Sequence, residues 1–268
     1  MRLDGLRLAF GTLTVLPTPA PQRVDRITAG GAMLLAPVAG VVIGGLAAAV
    51  VAAVQALQPG ADLLAAVLGV IALAVLSGAL HLDGLADTAD GFGSRRDRET
   101  KLRIMKQSDI GPFGVVTIAA VLLIDVAALT TCAQAGFGWQ AVLVATVASR
   151  LTLPWSCRVG VPSARPDGLG AMVAATVRPY AAVLVTLAAL ALLLALTWLT
   201  TDGTTLPTNS SSWRPLVGTS FAVLLAVVLA LTTAHQTTKS LGGITGDTLG
   251  ATVELAVPLA LLTTALAL

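Results

Sequence analysis

The chain has 268 residues, of which 56% are hydrophobic and only 11% are charged, and its net charge is +2. A soluble globular domain carries about 25% charged residues, and a disordered chain combines low hydrophobicity with high charge. Both classes are therefore excluded, and the small net charge argues against a nucleic-acid partner.

The chain begins with an arginine-containing segment over residues 1–28 whose apolar residues lie near helical spacing, which predicts an amphipathic segment on the membrane surface. Seven apolar stretches follow, and most approach the roughly 20 residues that a helix needs to cross a bilayer. They are continuous, whereas the strands of an outer-membrane barrel alternate. We predict an all-α, polytopic integral membrane protein of one domain over residues 1–268, with about seven transmembrane helices at 30–57, 63–80, 113–132, 139–155, 181–199, 216–234 and 252–268.

The loops between these stretches alternate in charge. All but one of the 16 basic residues then fall on the same side of the membrane as the N-terminus, the exception being Arg214 in the predicted outer loop at 200–215. The positive-inside rule makes that side cytoplasmic. We therefore expect a multi-pass protein of the cell (inner) membrane whose functional polar residues face the cytoplasm.

The most informative segment follows the second apolar stretch and contains Asp83, Asp87 and Asp90. On a helix this spacing places the three carboxylates within roughly 60° of one face. Carboxylates this close repel one another, and a divalent cation relieves the repulsion. Ligands that are all oxygen favour Mg²⁺ or Mn²⁺ over Zn²⁺. The alternative is a solvated acidic helix end without a ligand. His81 borders these acids and is a further candidate.

A second acidic constellation stands where the last apolar stretch begins. Asp247 and Glu254 are seven residues apart and share a helical face with Gly250, whose small size permits the close approach of another helix or a ligand. We expect metal binding or catalysis from both acids, although Glu254 would alternatively pair with an arginine inside an apolar run. The glycines before Asp247, together with Gly246, form either a phosphate-binding turn or a simple chain reversal.

Cations lie between the two acidic constellations. Arginine binds phosphate oxygens bidentately, so we predict phosphate contacts from this group, against the alternative that cytoplasmic loops are basic anyway. Metals, carboxylates and arginines beside a bilayer indicate phosphoryl transfer. The candidate cations are Arg95, Arg96, Arg103, Lys106 and, in a later loop, Arg165.

Several segments resemble the cobalamin synthase family, the adenosylcobinamide-GDP ribazoletransferases. The most specific is the His-Leu-Asp-Gly-Leu-Ala-Asp-Thr core that begins at His81. The family usually has Asp-Ser-Arg after a Met-Lys pair, whereas this chain has Gln107-Ser108-Asp109. The similar segments are 8–17, 78–91, 102–106, 111–114, 164–170 and 243–251.

This resemblance implies an Mg²⁺-dependent membrane enzyme that completes cobalamin assembly. It would transfer the adenosylcobinamide-phosphate moiety of adenosylcobinamide-GDP to α-ribazole or α-ribazole 5′-phosphate and release GMP. The catalytic segment would be the cytoplasmic loop and helix at 81–111, and a homo-oligomer is possible. The implied roles are Mg²⁺ binding by Asp83, Asp87, Asp90 and Asp247, proton transfer by one of His81, Asp90 or Glu254, and substrate binding by Arg95, Arg96, Arg103, Lys106, Arg165 and Gly246.

Two alternatives remain open. A CDP-alcohol phosphotransferase also uses clustered aspartates on membrane helices, but its pattern needs an arginine soon after the first Asp-Gly, and here Arg95 is the first arginine after Asp83. An ion-coupled transporter would place acids near the bilayer midplane, and only Asp125 lies towards the middle of a predicted span.

Overall fold

The computed structural model describes residues 2–201 and 213–268. The first residue of the predicted surface segment and most of the predicted outer loop at 200–215 lie outside this part. Within it every named element is a helix, which confirms the all-α prediction. The helices are α1 (Arg2–Leu13), α2 (Arg26–Leu57), α3 (Asp62–Leu76), α4 (Leu80–Gly93), α5 (Arg98–Ile104), α6 (Pro112–Gln134), α7 (Gly138–Arg150), α8 (Thr152–Ser156), α9 (Gly168–Val173), α10 (Pro179–Thr200), α11 (Arg214–Leu241) and α12 (Gly246–Ala267).

The number of spans differs from the prediction. Five described helices, α2, α6, α10, α11 and α12, are long and apolar enough to cross a membrane, and a sixth span results if α3 and α4 are taken together. The predicted count of about seven is therefore not confirmed. The predicted span at 139–155 divides into α7 and α8, and α7, with 13 residues, is only about 20 Å long where a bilayer core needs about 30 Å.

A sharp break separates α3 from α4. The two helix axes meet at 87°, and the turn between them places Gly78 at φ +61° and Ala79 at φ +55°. Left-handed φ values are easy for glycine but costly for alanine, by roughly 1–2 kcal/mol. Because of this turn, α4 leaves the direction of the span that precedes it and crosses the end of α12.

Small residues hold the centre of the bundle together. A Cβ atom on Gly40 of α2 would lie 3.0 Å from the Thr146 carbonyl oxygen, and one on Gly44 would lie 2.8 Å from the Thr146 Cβ atom. The two helices therefore pack nearly backbone to backbone, as small residues allow in membranes. Almost every side chain of α7 is buried, so this short helix forms the core between α2 and α12.

Three ionisable side chains are buried together inside the bundle. Asp125 of α6, Arg150 of α7 and Glu254 of α12 line one cavity of about 20 Å³, together with Ser77, which has room for one water molecule. Asp125 and Arg150 are each 2% exposed. Asp125 Oδ1 and Arg150 Nε have no hydrogen-bond partner within the described residues. The formal charge of this group is negative, with one guanidinium facing two carboxyl groups.

We expect Arg150→Met to destabilise the bundle by about 3–5 kcal/mol, because removing one partner leaves buried charge uncompensated. Unfolding in mixed micelles of increasing SDS content measures this loss. The double variant Arg150→Met/Glu254→Gln should recover part of it, since one of the two uncompensated carboxyl groups is then gone. Wild-type stability of the single variant would show that Arg150 compensates no charge in this cluster.

Candidate active site

The site is built around the crossing of α4 and α12. A Cβ atom on Gly84 would lie 2.7 Å from the Asp247 carbonyl oxygen, and one on Gly250 would lie 3.4 Å from the His81 Cα atom. Two glycines therefore let the helices approach closely, as the sequence predicts for Gly250. This approach brings the acids of two distant segments, Asp83 on α4 and Asp247 on α12, to one place.

A short β-like contact holds the start of α12 in position. The Ile244 amide donates to the Pro162 carbonyl oxygen and the Ala164 amide donates to the Ile244 carbonyl oxygen, both at 2.9 Å. Thr245 then caps the helix, accepting a hydrogen bond from the Thr248 amide at 3.1 Å. Because backbone hydrogen bonds join residues 162–164 to this turn, the Arg165 side chain lies beside the first turn of α12.

Arg165 joins three parts of the site. Its Nη1 atom lies 3.3 Å from Asp247 Oδ2, and its Nη2 atom donates to the Leu102 carbonyl oxygen at 2.9 Å. Its Nε atom is buried without a partner in the described part of the chain. The predicted cation is thus in the site, where it neutralises one of the predicted metal-binding carboxylates and keeps one N–H unpaired.

A cavity of about 200 Å³ opens beside the crossing. Four of the predicted residues line it: His81, Asp83, Gly246 and Asp247. The other walls come from α1, α2, α8 and α9, and sequence reasoning missed them because an apolar wall residue carries no local signal. These walls are Thr12, Leu13, Met33, Leu153 and Leu169.

His81 is 2% exposed, and neither ring nitrogen has a hydrogen-bond partner within the described residues. Burial, with a smaller contribution from the charge of Arg150, holds the pKa of His81 well below its usual range. The imidazole is therefore neutral at physiological pH, so one ring nitrogen is an acceptor and the other is a donor.

Asp87 lies in the electrostatic field of the other acids. Partial burial raises the pKa of Asp87 to about 6, and repulsion from Asp83, Asp247 and Asp90 adds to the increase. The carboxylates of α4 and α12 therefore share one electrostatic environment, as the sequence predicts. Within the described residues, however, no three His, Cys, Asp or Glu side chains form a ready-made metal site.

Asp90 has a structural partner that sequence reasoning missed. Its Oδ2 atom accepts the Gly111 amide at 2.7 Å and its Oδ1 atom accepts the Gly114 amide at 3.0 Å. A Cβ atom on either glycine would collide with this carboxylate. Asp90 thus anchors the first turn of α6, and its predicted roles in metal binding and proton transfer stay predictions. The sequence signal for this close contact was the pair Gly111 and Gly114, which lie three residues apart on either side of Pro112.

Glu254 lies apart from the other predicted catalytic residues. It shares the small buried cavity with Asp125 and Arg150, and it does not line the cavity of Asp83 and Asp247. This arrangement matches the alternative in which Glu254 is balanced by an arginine, although no nitrogen–oxygen contact within 4 Å joins it to Arg150 in the described part.

The predicted phosphate-binding cations Arg95, Arg96, Arg103 and Lys106 have exposed side chains. None makes a side-chain hydrogen bond or ion pair within residues 2–201 and 213–268. The guanidinium of their neighbour Arg98 instead donates hydrogen bonds to the carbonyl oxygens of Leu241 at 2.6 Å and Ala164 at 3.0 Å. Arg98 therefore attaches α5 to α11 and to the loop that contains Ala164.

Comparisons with known proteins identify the family of this chain. A profile of the family described as cobalamin-5-phosphate synthase matches residues 5–265. A protein of Frankia casuarinae named adenosylcobinamide-GDP ribazoletransferase is 42% identical, covering 97% of this chain and 94% of its own. Proteins with the same name from Nocardioides and Roseiflexus species are 40% and 36% identical, covering 97% and 95% of this chain and 97% and 87% of their own.

No solved structure matches this chain. The sequence comparisons nevertheless extend over nearly its full length, and they include both acidic segments that meet at the crossing of α4 and α12. The chain is a multi-pass membrane protein and a transferase, and it belongs to the cobalamin-5-phosphate synthase family.

Proposed function

We propose that this enzyme transfers the adenosylcobinamide-phosphate moiety of adenosylcobinamide-GDP to α-ribazole or its 5′-phosphate. A ribose hydroxyl of the acceptor would form a P–O bond to the phosphorus that carries cobinamide. The P–O bond of the anhydride would break, GMP would leave, and the hydroxyl proton would pass to a base. The observation that carries the proposal is the close crossing of α4 and α12, which unites the two acidic segments.

Mg²⁺ is the cofactor that this donor set fits. Mg²⁺ commonly uses one or two carboxylates, with substrate phosphates and waters as the remaining ligands, so the lack of a three-residue site does not count against it. Asp83, Asp87 and Asp247 would hold the metal, with Asp90 beside them. When bound, Mg²⁺ neutralises charge on the diphosphate and on the leaving phosphate.

Other residues of the chain would then orient the diphosphate. Arg165 has an unpaired Nε–H beside Asp247 and would donate it to a phosphate oxygen. Gly246 lies in the first turn of α12, where free amides favour anions. Arg95, Arg96, Arg103 and Lys106 would attract the donor and neutralise departing GMP from the cytoplasmic side of the inner membrane.

Of the three predicted proton acceptors, His81 has the best position. It is neutral, has no hydrogen-bond partner within the described residues and lines the cavity of Asp83 and Asp247. Both carboxylate oxygens of Asp90 accept backbone amides, and Glu254 lies in the other cavity. We propose that His81 accepts a hydrogen bond from the attacking hydroxyl and orients it, and that Glu254 supports the bundle.

The transfer assay uses purified protein in nanodiscs with adenosylcobinamide-GDP, α-ribazole and Mg²⁺. GMP release should require both substrates and the metal, and Asp87→Asn should lower kcat/KM about 100-fold, because it removes a charge that stabilises the transition state. Release of GMP without the acceptor would refute transfer to α-ribazole, and a full rate in EDTA would refute the requirement for Mg²⁺.

The matched control for this assay is Asp62→Asn. Asp62 lies in the first turn of α3, where it accepts a hydrogen bond from Gln55 at 2.8 Å, away from the crossing. Its kcat/KM should stay within about twofold of wild type, as expected for a polar substitution remote from the chemistry. An equal loss in both variants would indicate a general effect of removing acidic residues.

The repulsion among the acids also predicts a pH dependence of stability without metal. Because the folded-state pKa of Asp87 is raised from 3.8 to about 6, its ionised form weakens the fold above pH 6. This penalty declines as pH falls below 6 and is lost below pH 3.8, where the unfolded chain is protonated as well. In EDTA at pH 7.5, Asp87→Asn should melt at a higher temperature than wild type, and the difference should shrink at pH 5. Mg²⁺ should raise the wild-type Tm more than the variant's. Equal melting temperatures under all three conditions would contradict the shared acidic site.

A further inference from the structure

A second cavity lies on the side of the α4–α12 crossing that faces α11. Its volume is about 200 Å³, and it is separate from the cavity that contains Asp83. Its walls come from α4, α11 and α12, and most of its surface is apolar. The residues that line it include Thr88, Phe92, Gln236, Thr248, Ala251 and Thr252.

This cavity adjoins the proposed reaction centre from the opposite side. Thr88 directly follows Asp87 on α4, and Thr248 directly follows Asp247 on α12. Consecutive residues of a helix point about 100° apart. Asp247 lines the first cavity and Thr248 lines this one, so the first turn of α12 lies between the two cavities. A nucleoside whose base occupies this cavity would therefore have its ribose close to the acids.

The chemistry of the walls selects an uncharged ligand. No charged residue lines the cavity, and most of its hydroxyl groups are already used. Thr252 Oγ1, for example, donates to the Thr248 carbonyl oxygen at 2.7 Å, and Thr233 Oγ1 to that of Leu229 at 2.8 Å. Thr88 Oγ1 is an exception, because it is buried and has no partner within the described residues.

Phe92 supplies an aromatic surface at the same place. The Lys101 ammonium lies 5.2 Å from the centre of its ring, and Lys101 Nζ also donates to Ser240 Oγ at 2.8 Å. Lys101 of α5 therefore contacts both the Phe92 ring on α4 and Ser240 on α11, which fixes the position of the ring. Phenylalanine rings commonly make offset or edge-to-face contacts with other aromatic rings, so Phe92 offers a contact surface for an aromatic ligand.

We propose that this cavity binds the aromatic base of the acceptor nucleoside, an inference that rests on the proposed function. Pockets for drug-sized ligands measure about 300–1,000 Å³, so this smaller one suits a single bicyclic ring. A benzimidazole-type base is flat and mostly apolar, and its free ring nitrogen accepts one hydrogen bond, which Thr88 Oγ1 donates. Guanine fits less well, because its donors and acceptors outnumber the polar groups that Thr88 and Gln236 offer.

The test measures binding of α-ribazole alone by calorimetry, with full-length protein in detergent and EDTA, so that neither metal nor chemistry contributes. Ala251→Phe fills the cavity and should weaken binding at least tenfold. Thr88→Val preserves shape and removes one hydrogen bond, which should weaken binding about fivefold. Thr130→Val is the matched control, since its hydroxyl bonds the Val126 carbonyl oxygen at 2.7 Å within α6, and it should bind as wild type does.

Several outcomes would overturn the assignment. These are absence of binding to the wild-type protein, unchanged affinity in both cavity variants, and competition by GMP, which would place the guanine base there. Thr88→Val decides the matter if Ala251→Phe fails to fold. If the wild-type protein binds α-ribazole and the variants do not, but adenosylcobinamide-GDP yields no GMP with the nucleoside, the proposed function fails and the cavity assignment stands.

Discussion

The close approach of α4 to α12 is the constraint on which the rest of the site depends. Gly84 rests against the Asp247 backbone, so this position has no space for a Cβ atom without movement of a helix, whereas a Cβ atom on Gly250 would make an ordinary contact with the His81 Cα atom at 3.4 Å. A wider separation would move Asp247 away from the acids of α4, and their shared electrostatic environment would be lost. The left-handed turn at Gly78 and Ala79 is what aims α4 at this crossing, which explains why a strained alanine conformation is retained there.

Acidic side chains beside a bilayer are stable only where their surroundings are fixed. The chain achieves this with backbone contacts as well as with opposite charge. Asp90 binds two amides at the start of α6, and the turn before α12 is tied to residues 162–164. Arg98 ties α5 to the same loop. These contacts fix the positions of Asp83 and Asp87 without neutralising their carboxylates. A metal ion bound together with a diphosphate requires carboxylates that are fixed in position and still charged.

The sequence predicts what depends on local spacing and on strong motifs. The all-α class, the shared face of the α4 acids and the close approach at Gly250 all follow from helical periodicity. The structure adds what depends on distant partners. The glycines around Pro112 indicate a close contact but not that Asp90 makes it, and no local pattern shows that α1 lines the cavity through Thr12 and Leu13. Glu254 shares a helical face with Asp247 but lies two turns, about 10 Å, further along α12, and the sequence does not show that this distance puts the two acids into different cavities.

The size of the two cavities limits how the proposed substrates would enter. Each holds about 200 Å³, which is less than a corrinoid ring occupies, so the bulk of the donor would remain outside the bundle and only its diphosphate would reach the acids. The acceptor base would enter from the α11 side, and the attacking hydroxyl would then meet the phosphorus between the cavities. The exposed side chains of Arg95, Arg96 and Arg103 suit a donor that stays largely at the surface. A guanosine phosphate bound there requires neutralisation of its charge, which arginine provides, rather than an enclosed pocket. Under the proposed function, recognition of the donor would be divided between surface charge and one narrow acidic crossing.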